Sequence, residues 1–134
     1  MSNLMNAKTI SVSIKAAPQA VYEFVYDLHN FPKWVTSFVE SILQSDGEWW
    51  TLATSEGAMQ IRFVAKNEFG VLDHYVRIAS GQEFFNPMRV IANGAGSEVL
   101  FTLFQTADMS EEKFLGDAAM VERDLQTLKR VMER

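Results

Sequence analysis

SEEKFLGDAAMVERDLQTLKRVMER, residues Ser110 to Arg134, is the longest regular pattern in the chain. Its apolar positions, Phe114, Ala118, Val121, Leu125, Leu128 and Met132, are spaced 4-3-4-3-4 and draw one stripe along an α-helix. Ser110 stands where an N-cap is needed, and Glu111 and Glu112 follow in the first turn. Lys129, Arg130 and Arg134 make the other end basic, so both ends complement the helix dipole. At ~1.5 Å per residue the helix is ~35 Å long, enough to cross a small domain. A helix with one apolar stripe needs a broad apolar surface to lie on, and the residues before it must supply that surface. Gly116 costs roughly 1 kcal/mol relative to Ala inside a helix. Close approach of a ligand or strand would explain it; so would tolerance near the helix start.

Working back from the helix, five turn signals divide Val39 to Thr106: Ser45-Asp46-Gly47, Ser55-Glu56-Gly57, Asn67-Glu68-Phe69-Gly70, Ser80-Gly81 and Asn93-Gly94-Ala95-Gly96. They leave six short runs, Val39–Gln44, Glu48–Thr54, Ala58–Lys66, Val71–Ile78, Glu83–Ala92 and Glu98–Thr106. Lys8–Ile14 alternates, with Ile10, Val12 and Ile14 on one side and Thr9, Ser11 and Ser13 on the other. Together these predict seven strands in an antiparallel meander. Met59, Ile61 and Phe63 share the inward face of their run, His74 shares one with Leu72, Val76 and Ile78, and Asn86 shares one with Met88 and Val90. The run Val99 to Phe104 is apolar on both sides and needs cover on its outer face, from the first helices or from a second subunit in a homodimer.

Ahead of the meander, Val21, Phe24, Val25 and Leu28 are spaced as a helical stripe, and Pro18 suits a first turn. The spacing predicts a helix from Pro18 to Leu28, a break at Asn30-Phe31-Pro32, and a second short helix over Lys33 to Phe38. Tyr22 and Tyr26, an i, i+4 pair, either cap the pocket with their hydroxyls or ride on the helix flank, and the flank is expected.

Composition narrows the function. The chain of 134 residues fits one domain, 1–134, that buries a sufficient core unaided. It has no cysteine, which removes disulfides, thiolate zinc sites and cysteine nucleophiles. With a net charge of −5 and no cationic cluster beyond Lys129-Arg130, no nucleic-acid partner is expected. There is no signal-peptide pattern and no apolar run long enough for a membrane span, so a cytoplasmic location is expected. A hydrophobic content of 48 %, with ten Phe, exceeds what a minimal core requires.

The order strand, helix pair, meander, long C-terminal helix resembles the helix-grip superfamily that includes START domains, Bet v 1-like proteins and polyketide cyclases (SRPBCC). Ile14-Lys15-Ala16-Ala17-Pro18-Gln19-Ala20-Val21-Tyr22 is similar to its strand-to-helix junction, and Asp27 through Phe31-Pro32-Lys33-Trp34 to its second-helix motif. The resemblance implies an α+β fold in which a seven-stranded curved antiparallel sheet grips the C-terminal helix over an apolar pocket. It implies a small hydrophobic ligand, a polyketide cyclase or dehydratase activity, or a chaperone-activating interaction module with a packed interior. The Cys and His spacing of the Rieske centres found beside some members is missing, and no cofactor is implied.

Candidate ligand contacts follow from the inward faces. His74, among apolar neighbours, is expected as a half-buried histidine bonded to a neighbour; the alternatives are that it hydrogen-bonds a ligand or acts as a general base. Asn86 is a second polar anchor if its amide turns inward. Trp49 and Trp50 are adjacent on a strand, so one faces in and the other out, and the inward ring can wall a pocket for a flat ligand. Met59, Phe63, Met88, Leu125 and Leu128 complete the expected lining. Asp73 points away from His74, so the two are no catalytic dyad, and two histidines, His29 and His74, complete neither a Ser-His-Asp set nor a metal site. Arg62, Arg77 and Arg89 are expected on wet faces.

Overall fold

The computed structural model describes residues 4–134. In chain order it contains β1 (Ala7–Ile14), α1 (Pro18–Tyr26), a 3-10 turn (Leu28–Asn30), α2 (Phe31–Trp34), β2 (Val39–Ser45), β3 (Trp50–Thr54), β4 (Gly57–Phe63), β5 (His74–Arg77), β6 (Glu83–Asn86), β7 (Met88–Asn93), β8 (Gly96–Phe104) and α3 (Glu111–Met132). Every strand pairing is antiparallel, in two sheets ordered β1-β8-β7 and β2-β3-β4-β5-β6.

The described residues form eight strands rather than the seven expected, and Pro87 is the reason. Having no N–H to donate, a proline interrupts a ladder. The run Glu83–Ala92 therefore divides: β6 pairs with β5 on one side of Pro87, and β7 pairs with β8 on the other. The Pro87 carbonyl accepts from the Thr102 amide at 2.9 Å, which joins the two sheets at this step. The run Val71–Ile78 divides too. Leu72 N–H donates to Met88 O and Val90 N–H to Gly70 O before the chain enters β5 opposite β4.

The helix pair also differs in detail from the expectation. α1 ends at Tyr26, and α2 begins at Phe31 and is over by Trp34. Pro32 lies in the first turn of α2, where its missing N–H is not needed, so it starts a helix as well as ending the segment before it. Tyr22 is buried, its hydroxyl accepting from the Asn67 amide at 2.9 Å, rather than riding on the flank.

α3 follows its sequence closely. Ser110 accepts from the Lys113 amide at 3.0 Å as N-cap, and Phe114, Ala118, Leu125 and Leu128 of the stripe are buried. An added Cβ at Gly116 would meet nothing within 4 Å, so no close approach explains that glycine. The far end is tied to β1 and the residue after it: Lys129 Nζ donates to Ser13 O at 2.8 Å, and Glu133 accepts from the Lys15 amide at 2.8 Å. Beneath the helix, Leu125 and Leu128 join Val12, Ile14, Val99 and Met88 of the strands in one core. Full burial of such a leucine contributes ~2 kcal/mol in transfer free energy. Val21 and Val25 of α1 belong to the same core, so α1 packs on the inner face. Leu100 and Phe104, on the outer face of β8, are half-buried.

Candidate functional site

A cleft of about 520 Å³ opens where the corner after α1 faces β3 and β4. Each wall has a local cause. Trp50 begins β3 opposite Ile61 and shares its inward face, while Phe63 ends β4 opposite His74. Tyr26, the last residue of α1, stacks on Tyr22 at 5.7 Å between centroids and meets Phe63 at 5.8 Å. Asp27 closes the corner by capping the 3-10 turn: its Oδ1 accepts from the His29 amide at 3.0 Å. The same oxygen lies 3.0 Å from His29 Nδ1, and the His29 ring meets Trp50 edge-on at 5.1 Å.

The opposite lip is the β2–β3 turn. Gly47 adopts a φ of 100°, and Asp46 Oδ1 accepts the amides of Glu48 and Trp49. Those amides, Trp49 first, hold the Asp46 carboxyl below the usual range. Glu48 and Arg62, 3.5 Å apart, complete the polar rim.

Behind Phe63 lie two predicted anchors. His74 is 4 % exposed, its ring between those of Phe63 at 5.1 Å and Phe101 at 5.6 Å. Nδ1 lies 3.0 Å from Leu72 O, an acceptor, so the ring proton sits on Nδ1 and the Nε2 lone pair faces Asn86 Nδ2 at 3.5 Å. Burial lowers the His74 pKa to about 4, against the opposing effects of the Leu72 carbonyl and Asp73. The imidazole is therefore neutral at pH 7 and a weak base, and Asn86 is not titratable. Asp73 does lie on the opposite face, where it accepts from the Met88 amide and the Arg89 guanidinium.

The structure distributes the other expected residues unequally. Trp50 and Phe63 line the cleft, and Met59 is half-buried on the same inward face, opposite Leu52. Met88, Leu125 and Leu128 are closed into the core with at most 1 % exposure. Trp49 is on the outer face, beneath Arg77 at 4.0 Å and Arg62 at 5.2 Å, and Arg62 also covers Tyr75 at 5.0 Å. Arg62, Arg77 and Arg89 are thus held by aromatic rings or by a carboxylate instead of being simply solvated. Sequence reading missed the Asp27–His29 pair, whose one signal is Asp-x-His straight after a helical stripe. It also missed Asp124, a buried α3 carboxylate that accepts from the Ser37 amide at 3.0 Å and whose pKa burial raises.

A second cleft of about 520 Å³ lies at the junction of β1 and α1, beside Gly96, Ser97 and Lys129, and contains none of the expected site residues. Among the described residues no three His, Asp or Glu side chains gather as metal ligands, and no helix is long and apolar enough to cross a membrane.

No family model matches the sequence, and no curated protein does. Solved structures match the fold. The protein XoxI from Bacillus cereus is 18 % identical, with a TM-score of 0.78 over 96 % of each chain. Aha1 from Colwellia psychrerythraea, solved as a dimer, is 14 % identical, with a TM-score of 0.76 over 96 % of this chain and 97 % of its own. A START superfamily protein from Mycobacterium smegmatis is 10 % identical, with a TM-score of 0.72 over 94 % of this chain and 96 % of its own. The chain has the α+β helix-grip fold, with antiparallel sheets and a long C-terminal helix, as the resemblance implied.

Proposed function

We propose that this protein binds a small apolar or aromatic ligand in the cleft between the α1 corner and strands β3 and β4. The observation that carries the reading is the convergence of three aromatic rings, Tyr26, Trp50 and Phe63, on one opening of about 520 Å³ with a short polar rim. Ligand sites are concave, mostly apolar and few in polar groups, and occupy roughly 300–1,000 Å³. Phe63 is the partition between the cleft and the His74–Asn86 pair. A cyclase or dehydratase using His74 gains less support, because a histidine with a pKa of about 4 beside an amide is poorly matched to proton transfer near neutral pH.

The test is a panel of apolar and aromatic compounds read by thermal shift and by equilibrium dialysis, on the wild type and on Trp50→Ala. Binding by the wild type that weakens about tenfold in the variant supports the site, since one aromatic wall contributes on the order of 1 kcal/mol beyond its buried area. Binding that ignores Trp50→Ala, or no binding by any member of the panel, refutes it.

A further inference from the structure

We propose that Asp27 and His29 make this cleft selective for aromatic ligands carrying an acidic hydroxyl, with His29 Nε2 taking the hydroxyl proton; the proposal rests on the cleft being the ligand site. The geometry comes from the backbone. Asp27 Oδ1 accepts from the His29 amide at 3.0 Å and stands 3.0 Å from its ring Nδ1, so one carboxylate oxygen is held by the turn it caps and by the ring it orients. A carboxylate is an acceptor, so Nδ1 carries the proton and the lone pair is on Nε2. The Trp50 ring meets the His29 ring perpendicularly at 5.1 Å on the cleft wall. Among the described residues Nε2 has no hydrogen-bond partner, and both residues line the opening.

A ligand ring lying against Trp50 and Phe63 would carry a substituent at this rim. If that substituent is an acidic hydroxyl, its O–H bond breaks and the Nε2–H bond forms. The imidazolium then stands between two negative oxygens, the new phenolate or enolate and the Asp27 carboxylate, and no other reactant is needed. The remaining ionisable residues lining the opening are Glu48, Arg62 and Tyr26. Glu48 and Arg62 are 3.5 Å apart and largely offset each other, which leaves Asp27 and His29 to set the local preference. His74 cannot share the task because Phe63 separates it from the opening.

Two probes that share one nitrophenyl ring and differ at the oxygen decide the matter: 4-nitrophenol, and 4-nitroanisole, its methyl ether, with His29→Gln controlling for the added methyl. Equilibrium dialysis with the full chain should show the phenol bound about tenfold more tightly, the lower end expected for a charge-assisted hydrogen bond at an open rim. The bound phenol should also ionise at lower pH than the free compound, read from its phenolate absorption band. In His29→Gln both the preference and the displaced ionisation disappear. Asp27→Asn keeps a competent N-cap but not the charge, and gives an intermediate preference. Both side chains are exposed, and thermal unfolding checks that the variants are folded. Equal or inverted affinities for the two probes, or an undiminished preference in His29→Gln, overturn the role of the pair while leaving the cleft in place. Failure of both probes to bind overturns this proposal, while the cleft itself stands or falls on the wider panel and on Trp50→Ala.

Discussion

Lowering the pH should destabilise this protein through His74, and the size of the effect follows from where that ring lies. The imidazole is 4 % exposed, packed between Phe63 and Phe101, and donates to Leu72 O, an arrangement that suits the neutral form. Its pKa falls from 6.5 to about 4, chiefly because burial denies the cation its hydration. The unfolded chain takes up a proton on His74 below about pH 6.5, whereas the folded chain does so only near pH 4. The unfolded state thus binds more protons across that window, and stability falls as pH falls through it. A displacement from 6.5 to about 4 corresponds to about 3 kcal/mol, or roughly 10 °C in melting temperature for a chain of this size. Urea unfolding of the wild type and of His74→Gln between pH 7.5 and 4.5 isolates this contribution, because every other group titrates in both proteins. Over this range the wild-type free energy should drop by about 2.5 kcal/mol more than that of the variant, the remainder being lost below pH 4.5. NMR of the wild type gives a second view: the His74 ring resonances should not move between pH 7.5 and 5. Parallel stability profiles, or a ring that titrates near 6.5, would refute the argument.

Other expectations concern the frame around the cleft. Leu128→Ala should cost about 3 kcal/mol in urea unfolding, because the side chain is fully buried beneath α3 and the cavity would be lined by rigid strands. Tyr22→Phe removes the acceptor of the Asn67 amide and should cost about 1–2 kcal/mol, with faster hydrogen exchange at that amide. Gly70→Ala should be among the most damaging small substitutions, above about 2 kcal/mol, since φ is 71° and a Cβ there would collide with the Val90 carbonyl. Gly116→Ala should instead raise stability by up to ~1 kcal/mol, because the new methyl meets open space in a helix interior.

The strand and helix pattern was legible because it depends on neighbours in the chain. The 4-3-4-3-4 stripe, the cap at Ser110 and the turn glycines are local features, and each appears in the structure where its spacing put it. Pro87 was visible as well, but its consequence was not: whether a proline bends one strand or hands the chain from β5 to β8 depends on which partners lie on either side. Tyr22 was misjudged for a similar reason. A hydroxyl on a helix flank is wet unless something distant supplies a hydrogen bond, and Asn67 is 45 residues away. Asp124 belongs with it, an acidic residue beside Leu125 that only the arrival of Ser37 makes tolerable in a buried place.

What the amino-acid order determined by itself was most of the helices and strands and the face each turns inward, because periodicity and capping are properties of short segments. It also determined that Trp49 and Trp50, as neighbours in an extended segment, point to opposite sides. Tertiary structure decided which of the two is inside, that His74 is sealed behind Phe63, and that Asp27, His29 and Trp50 meet at one opening. Those are contacts between α1, β3, β4 and β5, brought together by packing over distances that no local spacing records.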